Sequence, residues 1–235
     1  MAGAPSPVPI LIPWAALASS TYAQSPMPVP SQLPGNPGRA SYTDGFPPQT
    51  FESILSGGTG PDGRDMNGVL KDLSTNIVAL SGGQYYEFNS TFATDYGGYA
   101  VGAIVAMANG LGLWINRVSG NTNNPDTTAA ATSGWVPLAV YGQQSVPMVG
   151  GNITLTAVQA ACNILALTGS VSSTVILPPW AMSWLIINAT TGGATVGVQS
   201  VGSGSVIIPS GAFTMVLVDS SGNTYGTIQQ PTFNT

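Results

Sequence analysis

The sequence predicts a mainly β protein with a few short helices, and three observations lead there. Prolines crowd the first 40 residues, one helical apolar stripe follows, and the second half is a string of short apolar runs between turn residues. Together they divide the chain into an extended Pro-rich arm (1–40), a small mixed α/β module (41–140) and a β-sandwich or barrel-like module (148–235).

The arm comes first. Nine of the 19 prolines occur by residue 37: Pro5, Pro7, Pro9, Pro13, Pro26, Pro28, Pro30, Pro34 and Pro37. Proline lacks the amide hydrogen and fixes φ, so this spacing forbids a helix and favours polyproline II. Fully extended at about 3.1 Å per residue, the arm reaches roughly 110 Å. Val8, Ile10, Leu11, Ile12, Trp14 and Leu17 are its natural anchors, and they make it a candidate docking arm. The same prolines would break the apolar helix of a signal peptide, and no Lys or Arg precedes the apolar part. No cleavage is expected.

Residues 41–60 read as turn and loop, from Asp44-Gly45-Phe46-Pro47-Pro48 to Gly57-Gly58-Thr59-Gly60-Pro61. Then Met66, Val69, Leu70, Leu73, Ile77 and Leu80 fall at helical intervals and predict an amphipathic helix. Asp62 or Asp65 can cap its start and Gly82-Gly83 can end it. A second short helix is expected after Asn89 or Ser90, stopping at Gly97-Gly98. Next, Ala103–Ala108 and Leu111–Val118 flank Asn109-Gly110, a pair suited to a type I′ hairpin turn. A polar loop, Gly120 to Ser133, leads to Trp135-Val136-Pro137-Leu138.

The last module contains the runs Ile153–Leu155, Ile164–Leu167, Thr174–Leu177, Trp184–Ile187, Thr195–Val198, Val206–Ile208, Thr214–Val218 and Tyr225–Ile228. Ala157–Ala161 reads as one helical turn between the first two. Short strands in such succession signal a sandwich or barrel. The runs keep no fixed period, so no solenoid is expected.

Charge is the most unusual feature. Charged residues make up 6% of the chain, against about 25% in an ordinary soluble domain. Beyond Asp126 the only charged side chain is Asp219. A free monomer keeps itself soluble with surface charge, so either neutral polar residues do that work or other subunits cover the surface. With 43% hydrophobic residues, a homotrimer that buries apolar surface of the β module between subunits is expected. The net charge of −5 and the lack of a basic cluster exclude nucleic acid as an expected partner. No run of roughly 20 apolar residues offers a membrane span. The lone Cys162 reads as a buried thiol.

Catalysis finds little to work with. The chain has no histidine, which removes the usual general base and the commonest metal ligand. Asp62 and Asp65 are better explained as helix-capping acids than as a catalytic pair, and Asp44 and Glu52 are isolated. Residues 57–64 lack the Gly-Lys-Ser/Thr ending of a phosphate-binding loop. No catalytic residue, metal or cofactor is expected. Among the aromatic residues, Trp180 and Trp184 follow Pro178-Pro179, a pair that often lies at a surface. They are the candidates for a surface contact in the β module.

The segment Ser41-Tyr42-Thr43-Asp44-Gly45-Phe46-Pro47-Pro48-Gln49-Thr50-Phe51 stands before Gly57-Gly58 and Asp65-Met66-Asn67-Gly68-Val69-Leu70. Gly97-Gly98-Tyr99, Trp114-Ile115, Gly120-Asn121-Thr122, Asn124-Pro125-Asp126 and Gly134-Trp135-Val136 follow in order. This series, over about residues 31–138, resembles the N-terminal region of tailed-bacteriophage fibre proteins. Gly60 departs from it, since such proteins more often carry a second proline before Pro61. The second half looks like a small β module of phage tail proteins, through Ile153-Thr154-Leu155-Thr156, Leu167-Thr168-Gly169, Ile176-Leu177-Pro178, Asn188-Ala189-Thr190-Thr191-Gly192, Val206-Ile207-Ile208-Pro209-Ser210-Gly211 and Asp219-Ser220-Ser221-Gly222-Asn223.

The resemblance implies a virion component, commonly trimeric, whose N-terminal part fixes it to the tail. The expectation is a tail fibre or fibre-adaptor subunit whose partners are its own copies, other tail proteins, and either another fibre protein or a host-surface glycan. A glycan-binding receptor protein is the rival reading. A capsule depolymerase is disfavoured by the shortage of acids, and a capsid decoration protein by the fibre-type motifs.

Overall fold

The computed structural model describes residues 10–229, and the structural statements below concern these. The fold is mainly β, with twelve strands in three sheets and three α-helices. Internal contacts divide the chain into two compact units at Tyr85–Tyr86, inside the stretch 41–140 that the sequence suggests as one module. Val8 of the expected docking arm lies outside the described residues.

The first unit is organised by one helix, α1 (Gly63–Ser81). Asp62 is its N-cap, with the carboxylate accepting from the Arg64 amide at 2.9 Å, and Gly82 closes the far end by donating to Val78 O and Ala79 O. Its packing inverts the ordinary amphipathic arrangement. The buried residues of α1 are Asp65 and Gly68, while Met66, Leu73, Ile77 and Leu80 are about half exposed. The cause lies in the segment from Ile10 to Tyr42, whose part from Tyr22 onward lies along the polar side of the helix while Ile10 to Ala15 border the apolar stripe. Where the proline spacing suggests a fully extended arm, this segment folds back through turns, with the Ala18 amide on Ala15 O and the Tyr22 amide on Ser19 O. Ala23, Met27 and Ala40 are buried.

The second unit opens with α2 (Ser90–Asp95), capped by Asn89, whose Oδ1 accepts from the Phe92 amide at 2.8 Å. Strands β1 (Ile104–Ala106), β2 (Gly112–Asn116) and β3 (Trp135–Val140) then form an antiparallel sheet in that order. The β1–β2 connection differs from the expected type I′ turn, which needs positive φ at both Asn109 and Gly110. Only Gly110 has it, at 70°. The turn closes instead through the Gly110 amide on Met107 O, and Asn109 Oδ1 accepts from the Leu111 amide.

From Gln143 the chain alternates between two sheets that share one core. The strands are β4 (Gln143–Met148), β5 (Gly151–Thr154), β6 (Ile164–Gly169), β7 (Ser173–Leu177), β8 (Met182–Asn188) and β9 (Val196–Ser200). Helix α3 (Ala157–Ala161) sits between β5 and β6, with a capping box made by Thr156 and Gln159. Strands β4, β6 and β8 pair in parallel in one sheet, and β5, β7 and β9 in the other. Gln143 pairs with Ile164 and Ile164 with Leu185, both 21 residues apart. On the other sheet Gly151 pairs with Ser173 and Ser173 with Val196, 22 and 23 apart. The runs are therefore three turns of a parallel coil, a regularity that the sequence conceals. Strand β10 (Val206–Ile208) adds antiparallel to β9, while β11 (Phe213–Val218) and β12 (Thr224–Gln229) add antiparallel to β8, giving sheets of four and five strands.

Side chains at alternate positions fill the space between these sheets, among them Leu165, Leu167, Val175, Leu177, Ile186, Val196, Val198 and Val216. Cys162 is buried in the same core, as expected, and burial raises its thiol pKa. Trp180 and Trp184, expected at the surface, belong to this core as well. Trp184 has no exposure and donates Nε1–H to Ala160 O at 2.7 Å. Trp180 is 6% exposed and lies edge-on to Trp114 with ring centroids 6.1 Å apart. The Pro178-Pro179 turn directs the chain inward here, because an indole buries more apolar area than the rest of the loop can offer.

Candidate functional site

In the first unit the polar face of α1 works as a clamp on the N-terminal segment. Asp65 is fully buried and receives Arg39 Nη2 at 2.6 Å, Arg39 Nε at 3.0 Å and the Ala40 amide at 2.6 Å. The hydrogen bond to Asp65 raises the Arg39 pKa further, so that side chain stays charged. About two helical turns on, Asp72 accepts from Ser25 Oγ at 2.6 Å, the Met27 amide at 2.9 Å and the Tyr42 hydroxyl at 3.3 Å. Burial and the Asp72 carboxylate both raise the Tyr42 pKa. Asn67 takes the Trp14 indole N–H at 3.1 Å and donates to Tyr22 O at 2.8 Å. Gly68 lets the backbone at Gln24 approach, and the Gln24 amide donates to Arg64 O.

The described arm anchors divide in two. Ile10, Ile12 and Trp14 line an apolar groove with Leu70, Leu73, Ser74 and Ile77 of α1, and the Trp14 amide donates to Ser74 Oγ at 2.7 Å. Leu11 and Leu17 are not brought to it and are 84% and 101% exposed. The residues that hold the arm, Asp65, Asn67, Gly68 and Asp72, were not singled out as a binding face by the sequence. The available signal was a helix whose apolar stripe faces a clustered polar set.

In the second unit the fibre-type motif residues form the joints of the three-stranded sheet. Trp114 Nε1 donates to Asp126 Oδ1 at 3.0 Å and Trp135 Nε1 to Asn123 O at 2.8 Å. Asn121 Nδ2 reaches Asn116 Oδ1 and Ser133 O, and Asn116 Nδ2 holds Tyr99 O and Ala100 O. Tyr99 packs on Phe88, Phe92 and Trp135 with ring centroids 5.1–5.4 Å apart. Tyr86, Phe88, Phe92 and Tyr99, with Glu87 and Asn89, line an open cleft of about 620 Å³.

The outer face of the five-stranded sheet is apolar too. Phe213, Met215 and Leu217 of β11 point away from the core, opposite Ile187, Leu185 and Ser183 of β8. Tyr225 of β12 pairs with Leu217 and is also exposed. None of the five strands contains a charged residue. The sequence signal for this face was an apolar run on both parities in 213–218, the pattern of a strand covered on both sides. The neighbouring β11–β12 turn holds Asp219, whose carboxylate accepts from Asn223, Ser221 and Tyr225. These bonds, led by the Asn223 side chain, lower its pKa.

Among the described residues no group of three or more His, Cys, Asp or Glu side chains is placed to hold a metal, and no helix is long and apolar enough to cross a membrane. No protein-family model matches the chain, and no curated protein resembles it at a significant level.

Proposed function

We propose that this chain is a structural protein of a bacteriophage tail, a fibre or fibre-adaptor subunit that attaches to the tail and supports host recognition as a homotrimer. The observation that carries the reading is the role of the fibre-type motifs in the fold. Asp65, Asn67 and Gly68 lock the N-terminal segment, and Tyr99, Trp114, Asn121, Asp126 and Trp135 lock the three-stranded sheet. A motif series spent on holding backbone together belongs to an assembly part, and the role we assign is non-enzymatic. The uncharged outer face around Met215 and Leu185 suits burial against another copy. The test is a map of the phage particle, in which density for this chain at the tail, with residues 148–235 farther from the tail axis than residues 41–140, is the expected result. Density on the capsid shell, or no such chain in purified particles, overturns it.

A second reading, a host-glycan receptor protein, is favoured by the cleft of Tyr86, Phe88, Phe92 and Tyr99, because aromatic faces stack on sugars without needing charge. Saturation binding of the purified protein to host polysaccharide, lost in Phe92→Ala, would select that reading.

A further inference from the structure

We infer that the exposed stripe of α1 is a self-association seam, on which α1 of one copy packs in parallel against α1 of other copies of this chain. The inference rests on the homo-oligomer reading above and adds where the copies meet in the first unit. Met66, Leu70, Leu73, Ile77 and Leu80 follow one another at intervals of four, three, four and three residues. That is the 3.5-residue spacing of a coiled-coil seam, which keeps one face toward a parallel partner. The side chains of Met66, Leu73, Ile77 and Leu80 are 46–53% exposed although they make up the apolar side of the helix.

Charge is sorted to match. The residues that flank the seam are Asn67, Val69, Ser74, Asn76 and Ser81, all uncharged, so identical helices meet without repulsion. Arg64, Asp65, Lys71 and Asp72 lie off the seam and its flanks, and the two aspartates are occupied in holding residues 25–42. The polar internal contacts of the unit thus use one side of the helix, and on the other Ile10, Ile12 and Trp14 border Leu70, Leu73 and Ile77 while leaving the apolar stripe about half exposed.

Ile10, Ile12 and Trp14 extend the seam along one flank. Taking roughly 200 Å² for each fully exposed large side chain, these three with Met66, Leu73, Ile77 and Leu80 present on the order of 700 Å², close to the ~800 Å² that each partner gives to a stable interface.

The experiment uses the full chain with Cys162→Ser and one added cysteine. On the seam, Leu73→Cys, Met66→Cys and Leu80→Cys should each cross-link to the same position of a second copy on mild oxidation. Thr75→Cys, on the opposite side of α1, should not. In the chain without added cysteine, Leu73→Asp with Ile77→Asp should raise the dissociation constant of the oligomer at least about tenfold with an unchanged circular dichroism spectrum. Cross-linking at Leu73→Cys but not at Met66→Cys or Leu80→Cys would overturn the parallel arrangement. An oligomer whose mass and affinity ignore the aspartate pair, with no seam cross-link, would overturn the seam while leaving the homo-oligomer reading in place. A wild-type chain that stays monomeric at micromolar concentration would remove both.

Discussion

Gly68→Ala should destabilise the first unit, against the ordinary rule for helices. Gly68 lies inside α1, where alanine normally gains about 1 kcal/mol by restricting the unfolded chain and favouring the helix. Here a Cβ would overlap the Gln24 carbonyl oxygen and stand 2.7 Å from Met27 Sδ. The sulfur can swing away, but the carbonyl is backbone and moves only with its neighbours. Shifting it strains the Gln24 amide bond to Arg64 O at 3.0 Å and the Asn67 bond to Tyr22 O at 2.8 Å. Overpacking costs typically 1–3 kcal/mol, and each strained hydrogen bond adds about 1 kcal/mol. Set against the helix gain of about 1 kcal/mol, the net expectation is a loss of about 2–4 kcal/mol. Gly63→Ala is the control, since nothing lies within 4 Å of a Cβ there. A urea titration followed at 222 nm, where α1 is the largest contributor, measures both variants. A gain of about 1 kcal/mol in Gly68→Ala, equal to a good helix substitution, would refute the close approach of Gln24 to the helix.

Asp65→Ala should cost the first unit about 3–5 kcal/mol, because it leaves Arg39 and the Ala40 amide without their buried partner; the same urea titration reads it. Trp184→Phe should lower the melting temperature of the second unit through a loss of about 1–3 kcal/mol, since Ala160 O loses its indole donor in the core; an unchanged melting temperature would count against that bond. Asp62 has its pKa lowered chiefly by the Arg64 side chain, then by the Arg64 amide. Its stabilising effect is therefore present above the unfolded carboxylate pKa of about 3.9 and is lost as pH falls through the lower folded value. Acid titration of helix content should accordingly be shallower in Asp62→Asn than in the wild type below about pH 4.

Much of the fold is written plainly in the residues. Helix α1 follows from the 66–80 spacing and from Asp62 and Gly82, and nearly every strand after Gln143 coincides with an apolar run. What periodicity does not reveal is which way a face points. The α1 stripe reads as a core face, and only the clamp of Asp65, Gly68 and Asp72 on residues 24–42 turns it outward. The parallel coil is hidden for a related reason. Gln143, Ile164 and Leu185 occupy equivalent positions on successive turns yet share no residue type, since register is set by backbone pairing. Trp180 and Trp184 show the limit of local signals, because a Pro-Pro turn marks a change of direction without saying whether the next residue faces solvent.

The coil has a consequence for how such a chain can change over time. Each turn pairs with its neighbouring turn at a step of 21 residues on one sheet and 22 or 23 on the other, and the last turn pairs also with β10 and β11. A duplicated or deleted segment of that length would preserve every remaining pairing and the alternation of buried side chains. Segments of other lengths would shift the strands out of register and turn core residues outward. Reach in this molecule is therefore adjustable in whole steps of the backbone, while the antiparallel strands β10, β11 and β12 close the end whatever number of turns precedes them.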